Sequence, residues 1–374
     1  MIKRHYDLNK LLEPGKAVII YGPRQVGKTT LLRDWLSKTK LKYKLDSGEN
    51  IATQNILSSQ DFDRILEYVE GYDVFAIDEA QHVPAIGLAI KILVDQKPQL
   101  KIIATGSSSF DLAHNVGEPL TGRKNTVILY PIAQLELLAM FNKAELRQKQ
   151  DEFLVFGAYP EVVTAKTRGQ KVDILTELTN SYLLRDILSL EKVKGPQVLL
   201  NLLKLLAFQI GSEVSLNELA SQLKIDVKTV DRYLDLLEES FVIHRLTAFS
   251  RNLRKEISKK NKYYFLDNGI RNAVISQFNP MDLRNDAGQL WENFIVSERL
   301  KKRAYKKIYG SSCFWRTYDQ KEIDLVEERE GVLSGYEIKY STDKKPKPPK
   351  EWSSAYAAAT YEIIDQDNYL KFIT

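Results

Sequence analysis

The segment GPRQVGKTT (22–30) fits G-x-x-x-x-G-K-[ST], the spacing of a phosphate cradle. Gly22 and Gly27 let the backbone curl so that main-chain amides turn inward toward phosphate oxygens. Gly22, Pro23, Arg24, Gln25, Val26, Gly27, Lys28, Thr29 and Thr30 are therefore the expected nucleotide contacts. Lys28 would reach the β- and γ-phosphates and the Thr29 hydroxyl would ligate Mg²⁺. Asp78 and Glu79 close the apolar run VFAID and lead into EAQ. In this role Asp78 holds the Mg²⁺ through water, and Glu79 polarises the attacking water. KIIATGSSSF (101–110) ends in small hydroxyls. There Ser107 or a neighbour contacts the γ-phosphate or the lytic water, with a helix N-cap as the equal alternative. Arg123 in LTGRK is either an arginine finger, in cis or from a neighbouring subunit, or a surface arginine. Arg24 carries the same ambiguity, and Arg185 is a weaker candidate. The chemistry predicted is ATP hydrolysis with Mg²⁺.

A second group lies near the C-terminus. Glu292 sits on the amphipathic segment QLWENFIVSERLKKR, and Asp324 opens a strand. Glu337 and Lys339 are two apart on the next strand, so they share a face. A turn at Arg329-Glu330-Gly331 would bring Asp324 near Glu337. Two or three of the carboxylates of Glu292, Asp324 and Glu337 offer a hard-oxygen site for Mg²⁺ or Mn²⁺, with Lys339 positioning a metal-bound water or stabilising developing charge. That is a constellation for phosphodiester hydrolysis. Alternating polar residues on a half-exposed strand also produce it without function.

These residues need elements to hold them. Residues 17–130 alternate apolar runs (17–21, 43–45, 74–78, 101–105, 126–130) with helical stretches near 28–38, 61–70 and 84–94, a pattern for a parallel sheet covered on both faces. From 131 to 210 leucines recur at helical spacing. A helix at 196–210 starts with Pro196, and Ser215-x-x-Glu218 reads as a capping box before LNELASQL. Asp226 can cap VKTVDRYLDLLEES, and two strands follow at 241–249 and 262–267 around a basic segment. Three helices and a basic hairpin are the order of a winged helix. Its second helix would present Lys228, Thr229 and Arg232 to a DNA groove, with Arg251, Arg254, Lys255, Lys259 and Lys260 on phosphates. Protein contact is the alternative use of such a scaffold. From 287 the order is helix, three strands, helix, strand.

The chain has 374 residues, 44% of them hydrophobic and 28% charged, with four histidines and one cysteine. That length suits two to four domains at roughly 100–200 residues each. The histidine and cysteine counts exclude a disulfide framework and a zinc-finger scaffold. The net charge is +5, and residues 1–250 hold 31 basic and 31 acidic side chains, so the excess lies in the last third. Such asymmetry hints at a polyanion, although surface lysines for solubility produce it as readily. No stretch approaches the ~18 apolar residues of a membrane helix, and MIKRHYDLNKLL lacks an apolar signal core. The expectation is a cytoplasmic protein with no membrane partner.

GPRQVGKTT, the DE of DEAQ and TGSSS resemble an AAA-type ATPase of the additional-catalytic-glutamate class of P-loop proteins. The resemblance implies an α/β core with parallel strand order 5-1-4-3-2, followed by a helical lid. The D-(x12)-E-x-K pattern after a helical Glu resembles the PD-(D/E)xK nucleases and their restriction-endonuclease-like core, with Ile323 where many members have proline. GAYPEVV (157–163), YLLRDIL (182–188), NLRK (252–255), YYFLDNGI (263–270) and LWENFI (290–295) extend the resemblance to a family of bacterial and archaeal ATPases with a nuclease-like C-terminal region. The organisation expected is an ATPase core at 1–150, a lid or linker at 151–195, a winged helix at 196–270 and a nuclease-like domain at 285–374. The function expected is an ATP-hydrolysing, DNA-binding protein with metal-dependent nuclease activity in its tail, assembled as a homo-oligomeric ring such as a hexamer. The alternative is a regulatory switch ATPase whose nuclease-like domain binds protein and cuts nothing.

Overall fold

The computed structural model describes residues 2–107, 120–183, 195–249, 260–317, 319–341 and 346–374, with main chain only at 181–183. Arg185, Arg251, Arg254, Lys255 and Lys259 lie outside the described residues. Two compact units emerge: residues 4–130 with 239–241, and residues 131–238 with 242–374 and the first residues of the chain.

In the first unit β1 (Ala17–Tyr21) is buried at every position. A continuous apolar run is what an interior strand needs when helices cover both faces of a parallel sheet. It is flanked by β4 (Lys101–Thr105) and β5 (Lys124–Ile128), and β3 (Val74–Asp78) and β2 (Tyr43–Ser47) follow beyond β4. All pairings are parallel, and the order is the 5-1-4-3-2 implied by the resemblance. β5 starts two residues before the apolar run, because Lys124 and Asn125 already pair with Ala17 and Val18. The helix Ile86–Gln96 buries Ile86, Ala89, Ile90 and Leu93 in one core with Phe75, Ile77 and Ile102. Each such side chain contributes about 1.5–3 kcal/mol when fully buried.

The second unit begins with the helical segment that follows the core, comprising Gln134–Leu137, Lys143–Gln148, Gln150–Phe156, Pro160–Thr164 and Arg168–Glu177. The helix Pro196–Phe208 starts on its proline, as the sequence predicts. Ser215 caps Leu216–Leu223 by accepting from the Glu218 amide. The reciprocal half of the expected capping box does not form, since the Glu218 carboxylate takes Gln222 Nε2 instead, at 3.2 Å. The helix Val227–Glu239 follows, with β6 (Glu213–Val214), β7 (Ile243–Ala248) and β8 (Asn261–Phe265). After the helix Ala287–Tyr305 come β9 (Ser311–Arg316), β10 (Glu322–Arg329), β11 (Val332–Ile338), the helix Lys350–Ala355, β12 (Thr360–Ile364) and the helix Tyr369–Ile373. One sheet runs through both regions in the order β12-β11-β10-β9-β7-β8-β6. Its join is a parallel pairing of Thr247 and Ala248 with Cys313 and Phe314.

Asp267 is the polar node of this unit. Its carboxylate accepts from Ala158 N at 2.7 Å, Gly269 N at 2.8 Å and Ile270 N at 3.2 Å. Asn293 donates to Phe265 O and Asn268 Oδ1 and accepts from Phe265 N. These bonds explain why YYFLDNGI and LWENFI carry polar residues inside a core: Asp267 and Asn293 satisfy buried backbone groups, the Ala158 amide of GAYPEVV among them, that would otherwise be orphaned.

Candidate functional site

The sharp turn after β1 starts at Gly22, with φ +144°. A Cβ there would stand 2.1 Å from Leu129 O, so only glycine fits. Gln25 and Gly27 also take positive φ, +59° and +94°, and the helix Lys28–Lys38 opens on Gly27 with no side-chain cap. Its first amides therefore have no intrahelical or capping side-chain acceptor, and such a helix end favours an anion. Lys28 is buried, and its Nζ donates to Gly22 O at 2.8 Å and Pro23 O at 2.9 Å. The loop's own carbonyls thus fix the ammonium at its start. Arg24 is half-buried, and Gln25 and Thr30 are exposed.

Thr29 and Asp78 meet, as the spacing predicts. Thr29 Oγ1 donates to Asp78 Oδ1 at 3.1 Å. The parallel register that places β3 two strands from β1 brings a residue 49 positions away into contact. Thr105, at the end of the intervening β4, donates to the same Asp78 oxygen and accepts from the Glu79 amide at 3.3 Å. Thr105 was not among the predicted site residues. Its signal was its place as the first hydroxyl after KIIA, one strand over from both acids. Ser107, the predicted candidate, is buried two residues on. Glu79 has φ +51°, a left-handed conformation uncommon outside Gly and Asn, and its Oε2 accepts from Gln81 Nε2 at 2.5 Å. Strain of this kind collects at sites where geometry is over-determined by the surroundings.

Arg123 is placed differently. Its carbonyl accepts from Ala17 N, so it stands at the start of β1, whereas the phosphate loop leaves the other end. A five-residue strand separates the two edges by about 16 Å. The guanidinium instead pairs with Asp95 Oδ1 at 2.5 Å. An arginine finger in cis from this residue is corrected on that ground.

In the second unit the hairpin forms as expected, with Arg329 opposite Val332 across Glu330-Gly331, both at positive φ. Asp324 Oδ2 accepts the Ile338 amide at 2.8 Å, and Lys339 Nζ bridges Glu337 at 2.7 Å and Asp324 at 3.8 Å. Glu292 accepts from Tyr264 OH at 2.7 Å. The residue that sequence reasoning missed is Lys262, which is 1% exposed and donates to Glu322 and to Glu292, the latter at 3.5 Å. Burial opposes its charge, but Glu292, Glu322 and Asp324 outweigh burial and hold the ammonium above its ordinary range. Lys339 is held up in the same way by Asp324 and Glu337. Burial, then the Asp324 charge, pushes the Glu292 carboxyl up to about 7, and burial raises Asp324 and Glu337 as well. Among the described residues no three acid, histidine or cysteine side chains converge to hold a metal ion. Glu292, Asp324 and Glu337, the expected metal set, lie in one charged cluster with Lys262 and Lys339.

On the helix Val227–Glu239, Lys228 and Arg232 are exposed, but so are Asp235 and Glu239. Thr229 is engaged as part of the helix start, its amide and hydroxyl both donating to Asp226, at 2.8 and 2.6 Å. Lys260 is exposed at the edge of the described residues. Among the described residues no helix is long and apolar enough to cross a membrane.

Comparison with known proteins gives three family matches. Residues 14–138 match an AAA domain family, 147–281 a domain of unknown function (DUF8612) and 287–371 a domain of unknown function (DUF4143). An uncharacterized protein of Mycobacterium tuberculosis is 28% identical over 335 residues, covering 89% of this chain and 72% of that protein. An uncharacterized protein of Methanocaldococcus jannaschii is 26% identical over 396 residues, covering 98% and 84%. Among solved structures, the flagellar accessory protein FlaH of the same organism aligns with TM-score 0.23 and 15% identity, over 34% of this chain and 78% of that one. With the phosphate loop, the Thr29–Asp78 contact and the match of residues 14–138 to an AAA domain family together, the first unit of the chain is an AAA-type P-loop ATPase domain.

Proposed function

We propose that this protein is a regulatory switch ATPase, in which MgATP binding and hydrolysis by the first unit is read out by a second unit that contacts protein. The junction at Asp78, where Thr29 and Thr105 meet one carboxylate oxygen, carries the ATPase half of the reading. Asp78 and Thr29 would hold Mg²⁺, and Lys28 with the loop amides would hold the phosphates. The magnesium ion would offset charge on the β- and γ-oxygens. Glu79, released from Gln81, would accept a proton from the attacking water. An arginine finger, if Arg123 provides one, would have to come from a neighbouring subunit.

The order of helices and strands over 196–265 supports a winged helix, and the mixed sheet β9–β12 behind the helix Ala287–Tyr305 supports a nuclease-like fold. The lysine-filled acidic cluster favours protein contact over cleavage. So does the helix Val227–Glu239, whose two basic residues stand beside Asp231, Asp235, Glu238 and Glu239. DNA processing, with cleavage at Asp324 and Glu337, is the second reading and rests on the basic residues at 251–260.

Lys28→Ala should abolish ATP turnover. Wild-type protein with Mn²⁺ should leave plasmid and junction DNA intact, and DNA should not stimulate hydrolysis. Cleavage that disappears in Lys339→Ala would replace this reading with the nuclease one.

A further inference from the structure

An arginine outside every motif touches the phosphate loop. Arg4 Nη1 donates to Val26 O at 2.5 Å, and Nη2 donates to Tyr130 O at 2.6 Å, so one planar fork ties the loop to the segment after β5. The guanidinium lies close to the helix start as well, since a Cβ on Gly27 would stand 3.9 Å from Nη1. The arm that delivers it is anchored. Asp7 caps the helix Leu8–Leu11, Leu8 is buried, Trp35 Nε1 donates to Asn9 Oδ1 at 2.9 Å, and Asn125 Nδ2 donates to Leu11 O at 2.9 Å. Trp35 belongs to the helix that the phosphate loop opens, and Asn125 to β5.

We infer that Arg4 is a positioning residue for nucleotide binding, acting through the Val26–Gly27 peptide. In a trans peptide the carbonyl and the following N–H point in opposite directions. Holding Val26 O on the guanidinium therefore turns Gly27 N–H to the other side of the loop. Gly27, at φ +94°, has no side chain to restrict that peptide, so an external clamp is needed to fix it. The clamp must be arginine: two carbonyls on different segments require a planar fork with several donors, and a lysine ammonium on its flexible stem is a single point charge. The same cation adds positive potential beside the loop, which phosphate binding uses. This inference rests on the ATPase reading above.

The test compares wild type, Arg4→Ala, Arg4→Lys and Lys28→Ala for MgADP and ATPγS binding by calorimetry, with melting of the nucleotide-free proteins alongside. Arg4→Ala should bind both nucleotides about tenfold or more weakly, the loss expected for hydrogen bonds from a charged donor. Its nucleotide-free form should still melt cooperatively, with a modest fall for the two lost hydrogen bonds, and Arg4→Lys should recover part of the affinity. Wild-type affinity in Arg4→Ala, with binding lost in Lys28→Ala, overturns the role of Arg4 and leaves the ATPase reading standing. No binding by wild type overturns both. If Arg4→Ala does not fold, Arg4→Lys decides: an affinity equal to wild type refutes the fork.

Discussion

Replacing Gly22 by alanine isolates the contact that shapes the phosphate loop. The new Cβ would lie 2.1 Å from Leu129 O, with the Leu129 carbonyl carbon at 3.0 Å. Both are backbone atoms, so relief needs a main-chain shift of about 1.3 Å or more, taking the contact to ordinary packing distance. Leu129 N donates to Tyr21 O at 2.7 Å, and that bond, which continues the β1–β5 pairing, would be broken by the shift. The left-handed φ costs about 1–3 kcal/mol for a non-glycine residue. Overpacking adds about 1–3 kcal/mol and the lost hydrogen bond about 1 kcal/mol. The total is about 3–7 kcal/mol, a fall of roughly 10 °C or more for a unit of this size. Gly122→Ala is the matched control in the same unit, with φ +76° and nothing within 4 Å of its Cβ. It should lose only the conformational part, about 1–3 kcal/mol. Scanning calorimetry with and without MgADP reads both effects. Gly22→Ala should melt far below Gly122→Ala and show no nucleotide-dependent rise. Equal melting shifts in the two variants, or a nucleotide response intact in Gly22→Ala, would refute the reasoning.

Further outcomes follow from the geometry. Loss of ATP turnover in Lys28→Ala and of affinity in Arg4→Ala test the first unit as described above. Asp267→Ala orphans three buried amides at about 1–3 kcal/mol each, so the second unit should lose roughly 3–9 kcal/mol in urea unfolding followed by tryptophan fluorescence. Asp267→Asn, which keeps the Oδ1 acceptor for Gly269 and Ile270, should lose less, and equal losses would contradict that assignment. Because the folded state raises the Glu292 carboxyl to about 7, it favours the protonated form. Its contribution is present below the unfolded pKa and is lost as pH rises through about 7. The difference amounts to as much as about 3 kcal/mol by linkage. Glu292→Gln should flatten the decline in stability between pH 5 and pH 8, and an unchanged slope would argue against it.

Much of the first unit was legible from residue order. A strand buried on both faces must be apolar throughout, so AVIIY, VFAID and KIIAT announced themselves, and glycine spacing marked the phosphate loop. The pairing of Thr29 with Asp78 followed from one motif and one strand end. Tertiary structure alone decided which hydroxyl joins them, because Thr105 reaches Asp78 through the parallel register of β3 and β4 and not through any local spacing. Edge position likewise decided Arg123, since neighbours in sequence of a strand's first residue lie a whole strand length from its last. In the second unit the sequence located Glu292, Asp324, Glu337 and Lys339 on the right helix and hairpin. It could not reveal that Lys262, which reads locally as one more residue of a basic run, points inward and pairs with Glu292 and Glu322. Charge is a property of the residue, but the sign of the field around it depends on strands brought together from distant parts of the chain. Arg4 is the same case in the first unit, for its two acceptors lie 22 and 126 residues away and only folding puts them under one guanidinium.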